Sequence, residues 1–305
     1  MTNDLINGNA KSSGCHPRAA RCWGLRTISF RNMTDITQDW KTPTLTSSSF
    51  AHDWPSPTRL HVHWAKTAQE LRQAQRLRYQ VFIEEMGASP QMNTHSQPGL
   101  EMDLFDPYCE HLLVSTQGEL GEASQVVGTY RLLTPQAASL AGALYTDLEF
   151  DLIRLHRLRP RMVELGRSCV HPHWRRSGVI LMLWSQLMAF MIKNNLDFMV
   201  GCVSVGMQDG GHMAASIWHQ LPMSSLAGID RQVTPRVPLP IESLRYDLKV
   251  EVPPLMRGYL KCGAKVLGPP AWDPEFGTAD FPMLLSLSDL PANYRRHLCR
   301  SSVAP

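Results

Sequence analysis

Alternation of apolar and polar residues predicts five β-strands along the middle of the chain. The predicted strands cover residues 60–64, 111–115, 126–133, 162–170 and 197–205. Two further stretches have a helical pattern: residues 68–87, which Gly87 can terminate, and the strongly apolar residues 179–194. The order strand, helix, three strands, helix, strand predicts an α/β (α+β) domain, with a central mixed sheet flanked by helices.

The two ends of the chain lack this periodicity. Residues 1–57 have no sustained apolar period and are rich in serine and threonine, so we expect a disordered leader. The prolines between 235 and 270 predict short strands and loops, followed by a helix at 288–298. We therefore expect one folded domain at 58–298, including a C-terminal extension, and a tail at 299–305.

Composition and charge exclude several classes of protein. The 305 residues are 43% hydrophobic and 19% charged, which is unlike a disordered or collagenous chain. The seven cysteines contain no C-x-x-C pair, which argues against a disulfide framework or a zinc ribbon and favours a reducing cytoplasm. A formal net charge of +3 is too small to predict nucleic-acid binding.

The apolar run at 179–192 is shorter than the roughly 20 residues that span a bilayer, so we predict a buried core helix and no membrane span. Before it, seven arginines and a single acid, Glu164, lie between Arg154 and Arg176. Such a stretch favours an anionic partner: phosphate, an acidic carrier protein or a lipid surface. A solvated loop with a few ion pairs is the alternative.

The turn before the apolar helix is a candidate anion site. Arg175, Arg176 and Gly178 lie where the helix begins, and the unpaired N–H groups and dipole of a helix N-terminus attract anions. A phosphopantetheine arm would bring a phosphate to such a turn. The alternative is an ordinary turn with solvated arginines, because arginine and glycine are common before helices.

Carboxylates and arginines form a second candidate cluster. Asp103 and Asp106 precede a predicted strand, while Arg78, Arg131 and Arg167 lie on a helix and two strands that should pack together. Because buried charges need partners, these residues could grip a zwitterionic amino acid or form purely structural ion pairs. Their spacing does not decide between the two.

Several motifs follow one another along the chain: RYQVFIEEMGA at 78–88, DLFDPYCEHLLV at 103–114, VVGTYRLL at 126–133, EFDL at 149–152, ELGRSCV at 164–170 and PAWDPEFGTADF at 270–281. Together they resemble the bacterial ornithine N-acyltransferases, a hemolysin-like branch of the GNAT superfamily, over roughly residues 60–298. The resemblance implies a GNAT-like fold. It also implies transfer of a 3-hydroxyacyl group from acyl carrier protein to the α-amino group of L-ornithine, giving lyso-ornithine lipid in the first step of ornithine lipid biosynthesis.

The same segments resemble the acyl-homoserine-lactone synthases, which implies roles for individual residues. Substrate binding would fall to Arg78, Phe82, Asp103, Asp106 and Arg131, catalysis to Glu164 and Arg167, and binding of the carrier or its phosphopantetheine to Arg175, Arg176 and Gly178. Only Arg175 and Gly178 match anchors of the GNAT phosphate loop, whose third anchor is absent. This departure favours acyl carrier protein over acetyl-CoA as the donor.

The implied reaction needs a base for the amine and stabilisation of an oxyanion. Glu164 is the first candidate base, because the surrounding arginines would keep it ionised; it could instead be a structural partner of Arg167. Cys169 lies on an apolar strand, where cysteine usually behaves as a small hydrophobic residue, so we expect direct transfer without an acyl-enzyme. No metal and no bound cofactor are expected.

Other functions stay open. The acceptor could be glycine or lysine, or the enzyme could form a homoserine lactone, and a non-catalytic module could merely bind an acyl carrier. Retention of the full set of arginines and acids argues against that module. We expect acyl carrier protein and L-ornithine as partners, no nucleic acid, and a cytoplasmic location, with contact at the inner membrane face as a further option.

Overall fold

A central sheet of eight strands organises the part of the chain that the computed structural model describes, which is residues 59–88, 97–117 and 124–300, with side chains up to 296. The strands are β1 (Leu60–Trp64), β2 (Glu110–Thr116), β3 (Val126–Leu133), β4 (Phe150–Asp151), β5 (Met162–Val170), β6 (Phe198–Gly206), β7 (Thr234–Pro235), β8 (Lys265–Val266), β9 (Ala271–Asp273) and β10 (Thr278–Ser286). The helices are α1 (Ala68–Arg78), α2 (Pro135–Ala141), α3 (Thr146–Glu149), α4 (Val179–Lys193), α5 (His212–Gln220), α6 (Pro254–Lys261) and α7 (Ala292–Arg300).

The strand order is β1-β2-β3-β5-β6-β10-β8, with β9 beside β10, while β4 and β7 pair separately. Neighbouring strands of the large sheet are antiparallel except β5 and β6, which run parallel. These two pair only from Met162–Phe198 to Glu164–Val200. Both strands continue beyond that point without pairing with each other, so the sheet opens between them. We call this opening the wedge.

Side chains alternate between the two faces of the sheet and build a core on each. Val163 and Met199 belong to the core formed with α4, whereas Met162 and Val200 belong to the core formed with Phe105 and the residues around α3. The predicted core helix is confirmed, because α4 buries a stripe of residues spaced three or four apart. No helix within the described residues has the length and apolarity needed to cross a bilayer.

The predicted elements match the structure closely. The five strands are confirmed to within one residue, but the helix predicted at 68–87 is α-helical only to Arg78 and continues as a π-helix at Tyr79–Glu85. In that segment the amide of Met86 bonds the carbonyl of Val81, five residues earlier, which widens the turn. Such widened turns are frequent at functional sites.

The predicted boundaries are only partly covered by the described residues. The leader at 1–57 lies outside them, and so does the tail from 301 onwards. The last helix begins at Ala292, after Pro291, and reaches Arg300. It therefore starts later than the predicted 288–298, because residues 287–289 form a separate 3-10 turn and proline favours the first positions of a helix.

Candidate active site

Three arginines from three different elements meet three carboxylates from the segment before β2. We call these six residues the buried charge network: Arg78 on α1, Arg131 on β3, Arg167 on β5, and Glu101, Asp103 and Asp106. Arg78 donates to both oxygens of Asp106, at 2.8 and 2.9 Å, and also to Glu101. Arg131 Nη1 bridges Asp103 and Asp106, at 2.6 and 2.8 Å.

The members of the network differ in how deeply they are buried. Arg78, Arg131 and Asp106 are at most 4% exposed and satisfy one another. Their charges are thus committed to other side chains of the network, and their role in substrate binding stays a prediction. Asp103 and Arg167 retain 14% and 12% side-chain exposure, and Phe82 is also partly exposed. Of the five predicted substrate contacts, Phe82 and Asp103 are the two whose side chains are partly exposed.

The network fixes the charge of its acids. Burial alone would raise the pKa of Asp106, but Arg78, through charge and hydrogen bonds, and Arg131 bring it well below its usual range. Arg131 and Arg167 likewise outweigh burial and lower the pKa of Asp103. Both acids are ionised at neutral pH, and a lowered pKa makes either a poor general base.

Arg167 has an unusual backbone and an unusual environment. Its φ of +49° lies in the left-handed region, which is uncommon for residues other than glycine. Its guanidinium carbon lies 4.6 Å from the ring centre of Tyr145 and 4.7 Å from that of Phe276. Phe82 packs edge-on against Phe276, with ring centres 6.5 Å apart. Aromatic rings therefore flank the charged group that is exposed at the site.

Glu164 is buried beneath the start of α3. Its Oε1 accepts two hydrogen bonds from Thr146, one from the backbone N–H at 2.6 Å and one from the side-chain hydroxyl. Its Oε2 accepts a hydrogen bond from the backbone N–H of Tyr145 at 2.7 Å. The predicted pairing of Glu164 with Arg167 is wrong, because Arg167 bonds Glu101 and Asp103, each at 3.0 Å.

Burial, rather than the neighbouring arginines, has the largest effect on the pKa of Glu164. Burial raises its pKa, against the effect of the hydrogen bonds from Thr146 and Tyr145 and a smaller effect of Arg131. Arg131 thus favours the ionised form, as expected of a neighbouring arginine, but its effect is smaller than that of burial. Its Oε2 accepts one hydrogen bond in the structure, and a carboxylate oxygen has a second lone pair to offer.

A second group of acids lies outside the sequence prediction. Glu149 at the end of α3, Asp273 on β9 and Asp280 on β10 bring carboxylate oxygens within 4.8 Å of one another. We call them the acidic cluster. Cys202 donates to Glu149 Oε2 at 3.3 Å, and the carboxyl groups of Glu149 and Asp280 also share a hydrogen bond. These three acids could hold a metal ion or an ammonium group.

Burial and mutual repulsion control protonation of this cluster. Burial first, and then the charge of Asp280, raise the pKa of Glu149 to about 10. Burial also raises the pKa of Asp280. The cluster therefore retains a proton at neutral pH, and a bound cation would favour its release.

Tyr145 connects the two charged groups. Its ring packs against Arg167, its backbone N–H bonds Glu164, and both Glu149 and Asp273 act electrostatically on its hydroxyl. Burial is the main reason that the pKa of Tyr145 is raised, and these two acids add to the effect. Phe276 links them by contact: its ring centre lies 4.7 Å from the guanidinium carbon of Arg167, and its N–H donates to Asp273 Oδ1 at 3.2 Å. The partly exposed end of the charge network and the acidic cluster thus belong to one site.

The wedge opens beside this site. Beyond Glu164, β5 bonds only β3, and beyond Val200, β6 bonds only β10, so backbone groups that face the wedge have no partner strand. A Cβ atom on Gly201 would overlap the carbonyl oxygen of Leu165. The glycine therefore lets the two strands approach closely where the wedge begins.

The predicted anion turn follows β5 and is only partly available. Gly178 has φ +76° and precedes α4, whose N-terminus has no side-chain cap. Arg175 donates through both terminal nitrogens to Glu85, at 2.7 and 2.6 Å, and Arg176 is exposed with no ion-pair partner among the described residues. Of the two arginines predicted to bind phosphate, Arg175 is therefore already ion-paired with Glu85, whereas Arg176 is available to an anion.

Cys169 is 6% exposed and packs with Ala74, Leu77 and Leu113, as expected for a core cysteine. Burial also raises the pKa of its thiol, which disfavours the nucleophilic thiolate. The residues that sequence reasoning missed are Glu101, Tyr145, Glu149, Asp273, Phe276 and Asp280. Glu149, Phe276 and Asp280 lie within the motifs EFDL and PAWDPEFGTADF, but only the fold brings those two segments together.

Comparison with known proteins shows the same class of domain. Residues 77–185 match the Acetyltransferase (GNAT) domain family. Among solved structures, the CoA-dependent acyl-homoserine lactone synthase BjaI has a TM-score of 0.46 at 16% identity, covering 81% of this chain and 91% of that one. The acyl-homoserine lactone synthase LasI has a TM-score of 0.45 at 15% identity, covering 79% and 95%.

Two curated relatives are more similar in sequence. L-ornithine N(alpha)-acyltransferase from Brucella abortus is 33% identical over 251 residues, which cover 77% of this chain and 87% of that protein. L-ornithine N(alpha)-acyltransferase from Rhodobacter capsulatus is 32% identical over 251 residues, which cover 80% and 96%.

The domain match and the relatives define the class: the chain is an acyltransferase with a GNAT domain at residues 77–185. Members of this class take their acyl group from a thioester. Given identity above 30% over most of its length, the chain belongs to the L-ornithine N(alpha)-acyltransferase family.

Proposed function

We propose that this enzyme transfers an acyl group from an acyl carrier protein to the α-amino group of L-ornithine. Relatives that are named for this activity support the acceptor. The structural observation that carries the proposal is the presence of two opposite charges in one site beside the wedge: the guanidinium of Arg167 and the acidic cluster. Ornithine carries a carboxylate and a second ammonium group, so it complements both.

In this arrangement, the α-carboxylate of ornithine lies at the edge of Arg167 that Glu101 and Asp103 do not use, and it shares the guanidinium with the hydroxyl of Tyr145. The δ-ammonium group enters the acidic cluster, where it would take the place of the proton that Glu149 and Asp280 share. An amino acid without the second amine leaves the negative charge of the acidic cluster without a bound cation. The acidic cluster therefore selects for a diamine.

The donor thioester lies in the wedge, where the backbone groups of β5 and β6 that face each other have no partner strand. Its pantetheine amides can bond those groups as a further strand would. The α-amine attacks the thioester carbonyl carbon, forming the C–N bond. Wedge N–H groups stabilise the tetrahedral oxyanion. Its collapse breaks the C–S bond, and the proton lost by the amine balances the proton gained by the leaving thiolate.

Glu164 stays our candidate for the group that accepts the amine proton, through the second lone pair of Oε2. A pKa raised by burial suits a base at neutral pH better than an ordinary carboxylate does. Asp103 and Asp106 are unsuitable, since their pKa values are lowered.

At the open end of the wedge, the exposed Arg176 and the uncapped N-terminus of α4 are placed to meet the phosphate of the pantetheine arm. The carrier protein would then dock at this end. The transferred group would be a 3-hydroxyacyl chain and the product a lyso-ornithine lipid, as the family resemblance implies.

The deciding experiment measures thiol release by the purified enzyme with one acyl donor, presented either on acyl carrier protein or on CoA. Ornithine should be the best acceptor, lysine weaker, and norvaline, which is ornithine without the δ-amine, nearly inactive. Equal rates with ornithine and norvaline would contradict the proposed role of the acidic cluster. A preference for the CoA thioester would overturn the assignment of the donor.

A further inference from the structure

Two exposed isoleucines lie on neighbouring 3-10 turns away from the wedge opening. Ile153 is 67% exposed on the turn Ile153–Leu155, and Ile229 is 74% exposed on the turn Ile229–Arg231. The two turns pack together, and Arg154 Nη1 donates to the Ile229 carbonyl oxygen at 2.6 Å. Two exposed aliphatic side chains therefore lie on adjacent turns.

The surroundings of these isoleucines are basic. Arg154 and Arg157 are exposed, and neither has an ion-pair partner among the described residues. Two acids lie nearby: Asp230, 3.7 Å from Arg231, and Asp151, which accepts a hydrogen bond from the Ile153 N–H. Arg231 balances the charge of Asp230, and either Arg154 or Arg157 balances that of Asp151. One positive charge is left in excess. We call Ile153, Ile229, Arg154 and Arg157 the basic apolar surface.

This surface lies at the closed end of the wedge. Arg231, at the end of the second turn, is 5.9 Å from the ring centre of Phe198, the first residue of β6. The strands β5 and β6 are paired at that end, and they diverge toward Val170 and Gly206. A carrier protein must dock where its pantetheine arm can enter, which is the other end. The basic apolar surface is therefore separate from the proposed carrier site.

We propose that the basic apolar surface docks the enzyme on an anionic lipid bilayer. Isoleucine side chains on short turns can enter the boundary between headgroups and acyl chains, while arginines bind lipid phosphates. The proposal rests on the proposed function only in that an N-acylated amino acid is an amphiphile that partitions into membranes. Binding itself requires no acyl transfer.

The test is sedimentation of the full-length enzyme with vesicles of phosphatidylcholine alone or of equimolar phosphatidylcholine and phosphatidylglycerol. Wild type should bind the anionic vesicles and hardly the neutral ones. Arg157→Gln should weaken binding roughly fivefold, the contribution of one basic residue near an anionic surface. The double variant Ile153→Ser with Ile229→Ser should weaken it further.

Ile192→Ser is the matched control, because Ile192 is also exposed, at 54%, but lies on α4 across the sheet. It should bind anionic vesicles as wild type does. Failure of wild type to bind anionic vesicles, or equal binding by the double variant, would overturn the proposal. So would a double variant with unchanged vesicle binding and a raised KM for the acyl carrier.

Acyl transfer measured without lipid separates this proposal from the proposed function. The double variant should keep wild-type activity and thermal stability, since both side chains are exposed. A wild-type enzyme that binds vesicles but does not acylate ornithine would overturn only the proposed function.

Discussion

Glu149 shows how one side chain can link substrate recognition to pH. Its pKa is raised to about 10 because the carboxyl group is buried and faces Asp280. In the free enzyme, the group is thus protonated at neutral pH. An ammonium group placed in the acidic cluster would restore the ordinary preference of a carboxylate for the charged form.

We therefore expect ornithine binding to release about one proton per site at pH 7 to 8. Affinity should rise with pH below the pKa of Glu149, by at most about tenfold per pH unit, since the proton competes with the ligand. Calorimetry in two buffers of different protonation enthalpy measures the release. Glu149→Gln should abolish it and weaken binding; proton uptake by wild type would contradict this account.

Glu164 could take the proton from the substrate amine, or it could only hold the start of α3 in place through its hydrogen bonds. Glu164→Gln should lower kcat by at least about 100-fold if the carboxylate is the base. It should also remove the acidic limb of the pH–rate profile, because the base acts only when ionised.

The matched control for this prediction is Thr146→Val, which removes one hydrogen bond to Glu164 and keeps the carboxylate. It should cost about 1 kcal/mol of the free energy of unfolding and leave kcat within a few-fold of wild type. If both variants lose activity in proportion to stability, Glu164 only positions α3 and Tyr145.

At the scale of elements, the function depends on how β5 and β6 separate. Gly201→Ala would push a methyl group against the Leu165 carbonyl at the start of the wedge. We expect it to cost about 1–3 kcal/mol of the free energy of unfolding and to raise KM for the acyl donor.

Gly166→Ala, on the adjacent strand, is the comparison for Gly201. A Cβ atom there would meet nothing closer than an Arg131 nitrogen at 4.0 Å. Thermal unfolding and donor titration of the two variants should therefore differ clearly. Equal behaviour would show that close approach of the strands does not shape the donor site.

The turn before α4 also acts as an element, since its two arginines have different tasks. Arg176→Ala should raise the apparent KM for acyl carrier protein far more than that for ornithine, and the effect should shrink at high salt. Arg175→Ala should instead resemble Glu85→Gln, because both break the same ion pair between the π-helical segment and the turn. An unchanged carrier KM for Arg176→Ala at low salt would exclude this docking site.

At the scale of the whole molecule, the described sheet, the charge network and the acidic cluster all lie after Arg59. We expect an enzyme without residues 1–57 to keep its midpoint of thermal unfolding and its activity, because that segment has no core-forming period and no family motif. A soluble, monodisperse truncated protein without activity would show that the leader takes part in function.

The sequence predicts features that depend on neighbouring residues better than those that depend on distant ones. Strands such as β3 and β5 are visible because hydrophobic periodicity is a local property. The charge network could be suspected from its residue types, but its burial could not, since that depends on contacts such as Arg78 with Glu101, far apart in the chain. The acidic cluster needs α3, β9 and β10 to meet, which no local pattern reports.

The buried charge network also constrains how this enzyme can change over generations. Three cations face three anions where water hardly enters, so replacing one of them alone strands an opposite charge at a cost of about 3–5 kcal/mol. Most single substitutions at these six positions therefore destabilise the protein. Divergence there requires matched double substitutions, so the six residues are inherited as a block even where the acceptor changes.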